Sequence, residues 1–412
     1  MVGHGRKLIP LEGLRGIAAT IVVFYHLVLA FTPKGAGTVP RGHGVLDLLT
    51  QFVLGMLNGG AAVTVFFVLS GFILSLPFAR DRRISRMLAA LLKRWPRLAC
   101  LTVIACLFAF VLISWSGQEY KHAARLIGAG WLASHGNSPI RPENLTWEGA
   151  VREGLIKVFT QGEVKFDSPL WTMRIELFCS FAIFFVAPVL FAIRSWTLRW
   201  GLVAMAIYIV GTGYPFTFFA DFLVGAVLAM LFAEGRLPVL GNKTAALLGV
   251  LGLYLFSFTY QQALLIHVPL KLLLAPRFSH YVWDAGAGLI IIVLLKNPAV
   301  RRAFSGSWAA WLGLLSFPIY LLHGPIMLSA GSVAFMDGVG QLGVAGAALV
   351  AAFCTILLTL LCAMPLAWVD QRWTRLLSRL TRPLADTLPV AEVTAMKNAQ
   401  AGAGAFFGQK DV

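Results

Sequence analysis

The chain has 412 residues, of which 58% are hydrophobic and only 13% charged, and its mean hydropathy is +0.78. A soluble globular domain averages about 25% charged residues, so composition excludes a water-soluble main body. The formal net charge of +16 would suit nucleic acid, but the basic residues gather in short stretches between apolar runs, as cytoplasmic loops do. No nucleic-acid partner is expected.

Apolar stretches long enough to span a bilayer fall at about 14–33, 59–79, 98–117, 169–193, 197–213, 217–233, 243–261, 281–295, 308–331 and 343–369. The reading is an all-α polytopic membrane protein of about ten helices, with Gly213 and Pro215 dividing one long apolar region. The termini and the loops on their side hold 22 Lys and Arg, the opposite loops 10. That bias predicts both termini to be cytoplasmic.

The expected organisation is a membrane domain over 1–370 and a tail over 371–412. Within the first, residues 118–168, with Trp131, Trp147, Pro139 and Pro142, are expected to form a partly helical extracytoplasmic cap. The tail opens RWTRLLSRLTR, which suits an amphipathic helix on an anionic leaflet, and turns Ala/Gly-rich and disordered after about 383. No internal repeat is evident. Cys100, Cys106, Cys179, Cys354 and Cys362 all lie in apolar runs without ligand spacing, so neither disulfides nor a metal site is expected. The first span carries Glu12 and Arg15 and lacks a small-residue cleavage site, unlike a cleaved signal peptide.

In the first span, LEGLRGIAATIVVFYH, eleven residues separate Arg15 from His26. Eleven helical steps are about three turns plus ~20°, so both side chains share one stripe, ~16 Å apart along the axis. With Arg15 near one surface, His26 is expected near mid-depth of a ~30 Å core, where an imidazole needs partners. The plain structural alternative is a snorkelling arginine and a hydrogen-bonded structural histidine.

Further along, VFFVLSGFILS at 65–75 places Ser70 and Gly71 where small residues favour close packing. The loop 80–97 carries seven positive charges, including Arg80 and Arg83, and Arg94 and Arg97 share a helical face. It reads either as an ordinary positive-inside loop or as an anion site, because paired guanidinium forks suit phosphates. In SPLWTMRIELF at 168–178, Arg174 and Glu176 point to different faces and each needs a partner from another helix. SFPIYLLHGPI at 316–326 sets Tyr320 and His323 between two prolines. Such a kinked helix is tolerable where its backbone is buried or lines a cavity.

Taken in order, these segments resemble the integral-membrane acyltransferases of type three. The carriers are Glu12–Gly16 with His26, FFVLSGF at 66–72, Arg94–Leu98, Trp171 with Glu176, and LGLLSFPIYLLHGPI at 312–326. Departures occur at Ala62 and Thr64, where Gly and Asp are usual, at Leu177–Cys179, and at Phe317 and Pro318. The resemblance covers about 8–370 and points to the stand-alone branch without an appended hydrolase-like domain.

The resemblance implies transfer of an acyl group, often acetyl, from cytosolic acetyl-CoA or another acyl-CoA to a hydroxyl of a carbohydrate such as a surface glycan, in a bacterial cytoplasmic membrane. His26 is then the general base, because its ordinary pKa of about 6.5 lies near working pH. Arg15 positions the donor, and Arg80, Arg83, Arg94 and Arg97 face its phosphates. Glu176 orients His26 or holds the acceptor, and Trp171, Tyr320 and His323 contact substrate. An acyl-histidine remains open. Two other readings remain: a cytosolic small-molecule acceptor such as a macrolide, and a glycan or lipid transporter. Membrane lipid is an expected partner, and oligomeric state is not legible.

Overall fold

A computed structural model describes residues 8–32, 52, 54–134, 145–193, 195–211, 218–259 and 278–387. Gly213, Pro215, Pro139, Pro142 and the Ala/Gly-rich tail lie outside the described residues. The described chain is all-α, with no strand among those residues. Its helices are α1 (Ile9–Phe31), α2 (Gly59–Asp81), α3 (Ile84–Ser116), α4 (Glu119–Ile127), α5 (Gly130–Ala133), α6 (Trp147–Arg152), α7 (Trp171–Ala192) and α8 (Trp196–Gly211). Then come α9 (Phe219–Ala233), α10 (Asn242–Phe256), α11 (Phe278–Lys296), α12 (Pro298–Ala303), α13 (Ser307–Ile326), α14 (Ser332–Leu380) and α15 (Arg382–Thr387).

Within the described residues each of the ten apolar stretches is largely helical. Among the described residues six segments are long and apolar enough to cross a membrane: α1, α2, α3, Ser168–Ala192, α11 and Ser307–Leu380. Three apolar helices, Thr197–Ile207, Phe219–Ala233 and Asn242–Phe256, are shorter. The chain is an integral, multi-pass membrane protein.

Small residues set the closest crossings, as expected where packing rather than hydrophobicity joins helices in lipid. A methyl at Gly225 of α9 would stand 2.0 Å from the Val68 carbonyl oxygen of α2, so only glycine permits that approach. Gly16 of α1 meets Leu312 of α13 in the same way, and Gly313 of α13 meets Glu12. These contacts hold α1 against α13, the pair that carries both membrane histidines.

Three boundaries differ from the sequence reading. Helix α1 starts at Ile9 with Pro10 in its first turn, a residue pre-set for helix entry. Arg15 is therefore well inside the helix, and His26 lies five residues from its end. Helix α3 starts at Ile84, so most of the basic 80–97 segment is helix rather than loop. Its Ala, Leu, Met, Arg and Lys residues are strong helix formers. Finally, α13 continues through a π turn, Met327–Gly331, into α14, which reverses at Gly343 (φ 67°). The return limb runs unbroken through 370 to Leu380, across the position where the tail was expected to begin. There Trp373 Nε1 donates to the Pro96 carbonyl at 2.9 Å, which ties residues 371–380 to α3.

The cap is partly helical among its described residues, and two of its contacts with the bundle bear on the site. Trp131 of α5 stacks on His26 (centroids 5.0 Å apart, planes 15°). Further on, a π turn at Glu153–Lys157 lets Gly154 press on α3, where Thr102 Oγ1 donates to its carbonyl at 2.6 Å.

Candidate active site

Two clusters form, one beside the other. The first lines a cavity of about 150 Å³ between α1, α2, α3, α7 and α13. Its polar wall is Arg15, Arg94, Arg97, Ser70, Glu176 and Tyr320, and its apolar wall includes Phe66 and Phe67. Glu176 Oε1 accepts from Arg94 Nη2 and from Ser70 Oγ at 2.7 Å. Arg94 Nε donates to Ser180 Oγ at 2.8 Å. Three helices thus meet on one carboxylate, and the buried pair is satisfied on both sides, as an intramembrane charge requires.

The other two guanidinium groups are held more loosely. Arg15 Nη1 stands 3.4 Å from Glu12 Oε2, and Arg97 Nε 3.7 Å from Asp370 Oδ1. Neither Glu12 nor Asp370 lines the cavity. All three cations line the cavity, whereas of the three carboxylates that pair with them only Glu176 does. Such an arrangement favours an anionic or strongly polarised guest.

The second cluster is the histidine pair. His26 Nδ1 and His323 Nε2 are 2.8 Å apart, with ring planes at 6°. His323 is fully buried, and its Nδ1 lies 2.8 Å from the Tyr320 carbonyl and 3.2 Å from that of Ile319. Carbonyls only accept, so His323 Nδ1 carries a proton. With both rings neutral, His323 Nε2 is then an acceptor and His26 Nδ1 its donor. The network therefore assigns the lone pair of His26 to Nε2.

Tyr320 links the clusters. Its carbonyl holds His323, its ring lines the arginine cavity, and its hydroxyl donates to the Pro169 carbonyl at 3.0 Å beside Thr172 Oγ1.

The structure therefore brings Arg15, Arg94, Arg97, Glu176 and Tyr320 to one cavity and joins His26 to His323 next to it. Glu176 faces Arg94 and Ser70, not His26. Arg80, Arg83 and Trp171 do not line the cavity: Arg80 stands 5.8 Å over the Phe232 ring, Arg83 caps the start of α3, and Trp171 packs on Phe218. Arg174, expected to need a partner from another helix, is half-buried and reaches the Gln161 carbonyl at 3.5 Å.

Other residues had no role assigned from sequence. Trp131 covers His26, and Ser70, Thr172 and Ser180 complete the polar walls. Asp167 is fully buried with neither carboxylate oxygen hydrogen-bonded among the described residues. It abuts Gly324, next to His323, where a methyl would stand 2.8 Å from Asp167 Oδ1. Burial, with Glu153 nearby, holds the Asp167 carboxyl well above the usual range. Glu153, 1% exposed, accepts from the Phe166 N–H at 2.9 Å and is pushed up to about 7 mainly by burial.

An acyltransferase-domain family matches residues 9–368. The O-acetyltransferase PaAT-1 of Phomopsis amygdali is 24% identical over 366 residues, covering 78% of this chain and 72% of its own. Acyltransferase R4 of a Phoma species and acyltransferase clz18 of Cochliobolus lunatus are each 23% identical over 394 residues, 78% of this chain and 83% of theirs. No solved structure matches. The chain belongs to the acyltransferase-3 family of membrane acyltransferases.

Proposed function

We propose that the protein transfers an acyl group, acetyl in the first instance, from cytosolic acyl-CoA to a hydroxyl of a carbohydrate acceptor at the cytoplasmic membrane. The observation that carries this reading is the adjacency of a cation-faced cavity to a histidine pair with one lone pair left free. Arg15, Arg94 and Arg97 hold the donor, with Arg80 and Arg83 on the same basic segment available to its outer phosphates. The acceptor arrives under the cap, beside Trp131 and Trp171.

In the step itself, His26 Nε2 takes the acceptor hydroxyl proton as the oxygen attacks the thioester carbon. The C–S bond breaks, the acyl group passes to oxygen, and His26 returns its proton to the departing thiolate, giving free CoA and an ester. His323 keeps the proton of His26 on Nδ1 throughout, so that Nε2 stays available. No metal is needed for this balance.

Mass spectrometry of glycans and small metabolites from cells with and without the protein tests the reading. A protein-dependent acyl mass increment on a glycan is the expected result. An increment confined to a cytosolic small molecule moves the acceptor indoors. Purified protein that turns over no acyl-CoA with any extracted acceptor overturns the enzymatic reading and favours a transporter.

A further inference from the structure

A different face of α1 borders a second cavity, of about 220 Å³, shared with α10, α11 and α12. Its lining, which includes Leu14, Ile21, Leu253, Leu294 and Phe304, contains no charged or polar side chain. Val300 and Phe304 close one end, and between them Arg301 and Arg302 of α12 are exposed. Lys243, in the first turn of α10, is exposed at that end too. Asn297 brings the helix starts together, with Nδ2 donating to the Leu240 carbonyl at 3.0 Å and to Asn242 Oδ1 at 3.1 Å. Among the described residues none of the three cations has an ion pair. By the Lys and Arg bias this end faces the cytoplasm, where the leaflet is anionic.

We propose that this groove and its rim bind an anionic phospholipid, with one acyl chain in the groove and the phosphate at Lys243, Arg301 and Arg302. Lipid tails gain little by exchanging bilayer for an apolar protein surface. The groove therefore supplies shape and depth, and selection comes from the charge-assisted bonds at the rim. Asn297 ties the start of α10, which carries Lys243, to the start of α12, which carries Arg301 and Arg302. The site is separate from the arginine cavity and is independent of the proposed reaction.

The test uses the full chain reconstituted in equimolar phosphatidylglycerol and phosphatidylcholine with identical acyl chains, extracted in mild detergent, with retained lipids counted by native mass spectrometry. Phosphatidylglycerol should be retained over phosphatidylcholine by about tenfold or more. Replacing all three cations with Gln should erase that preference. Gly249→Phe, at a position with open space beside it, should lower retention of both lipids by filling the groove. Equal retention by the wild type, or a preference that survives loss of the three cations, overturns the head-group assignment. Unchanged retention in Gly249→Phe places the tail elsewhere and overturns the groove assignment.

Discussion

The arginine cavity and the histidine pair are near neighbours built on opposite principles. In the cavity, fixed charges are satisfied by fixed charges: Arg94 and Glu176 close on each other, and Arg15 and Arg97 are backed by Glu12 and Asp370. In the pair, neutral rings hand one donor and one acceptor along a chain that starts at backbone carbonyls and ends at His26 Nε2. The first arrangement suits holding a charged donor, the second moving a proton. Both clusters draw on α1 and α13, the cavity adding α2, α3 and α7, so the proposed division of binding from chemistry runs between neighbouring side chains joined through Tyr320.

The strongest way to break that division is to unbalance the cavity. Arg94→Gln leaves Glu176, whose side chain is 12% exposed, without its ion partner. Removing one member of a buried pair typically costs about 3–5 kcal/mol. Thermal unfolding in detergent should show the single variant well below wild type, and Arg94→Gln with Glu176→Gln largely restored but still unable to bind acetyl-CoA. Equal unfolding of the single and double variants would show that the pair is not coupled.

A smaller effect sharpens the other side. His323→Ala frees His26 Nδ1, so that its proton is no longer kept away from Nε2. We expect a fall of about 10–100-fold in kcat with little change in KM for acetyl-CoA, the scale on which orienting partners act. His323→Gln, whose amide oxygen accepts at that site, should recover part of it. A KM effect without a kcat effect would move His323 into substrate binding.

The smallest effect concerns the cap. Glu153 is held at about 7, above its ordinary carboxyl range, so the folded cap favours the protonated form. Its contribution is intact below about pH 4.5 and is lost as pH rises to 7, a destabilisation on the order of 1–3 kcal/mol. Protection factors over 147–170, with the intrinsic base-catalysed exchange rate divided out, should therefore be lower at pH 8 than at pH 5, and Glu153→Gln should flatten the difference. Equal protection factors at both pH values would show that Glu153 does not couple to the cap.

Much of this was legible in the sequence. Apolar length located the long helices, though not the short ones such as Glu119–Ile127 and Pro298–Ala303, and the spacing of Arg15, Arg94, Glu176 and Tyr320 within the family's segments named the residues that converge. Partnership was not legible. His323 is 297 positions from His26, and nothing local marks the pair, while Glu176 was open to either role until Arg94 was seen against it. The start of α1 was not legible from the apolar run, which begins at Leu14, because the helix begins five residues earlier with Glu12 and Arg15 pairing within it. Asp167 and Glu153 sit in a polar stretch and are buried only by tertiary packing, Glu153 where the cap meets α3 and Asp167 against Gly324 of α13.

The division of labour has one direct measurement: acetyl-CoA affinity and CoA release for wild type and His26→Ala at matched membrane levels. The account predicts the wild-type Kd with CoA release down by roughly 10²–10⁴-fold. Loss of acetyl-CoA binding in His26→Ala, or CoA release at the wild-type rate, would contradict it.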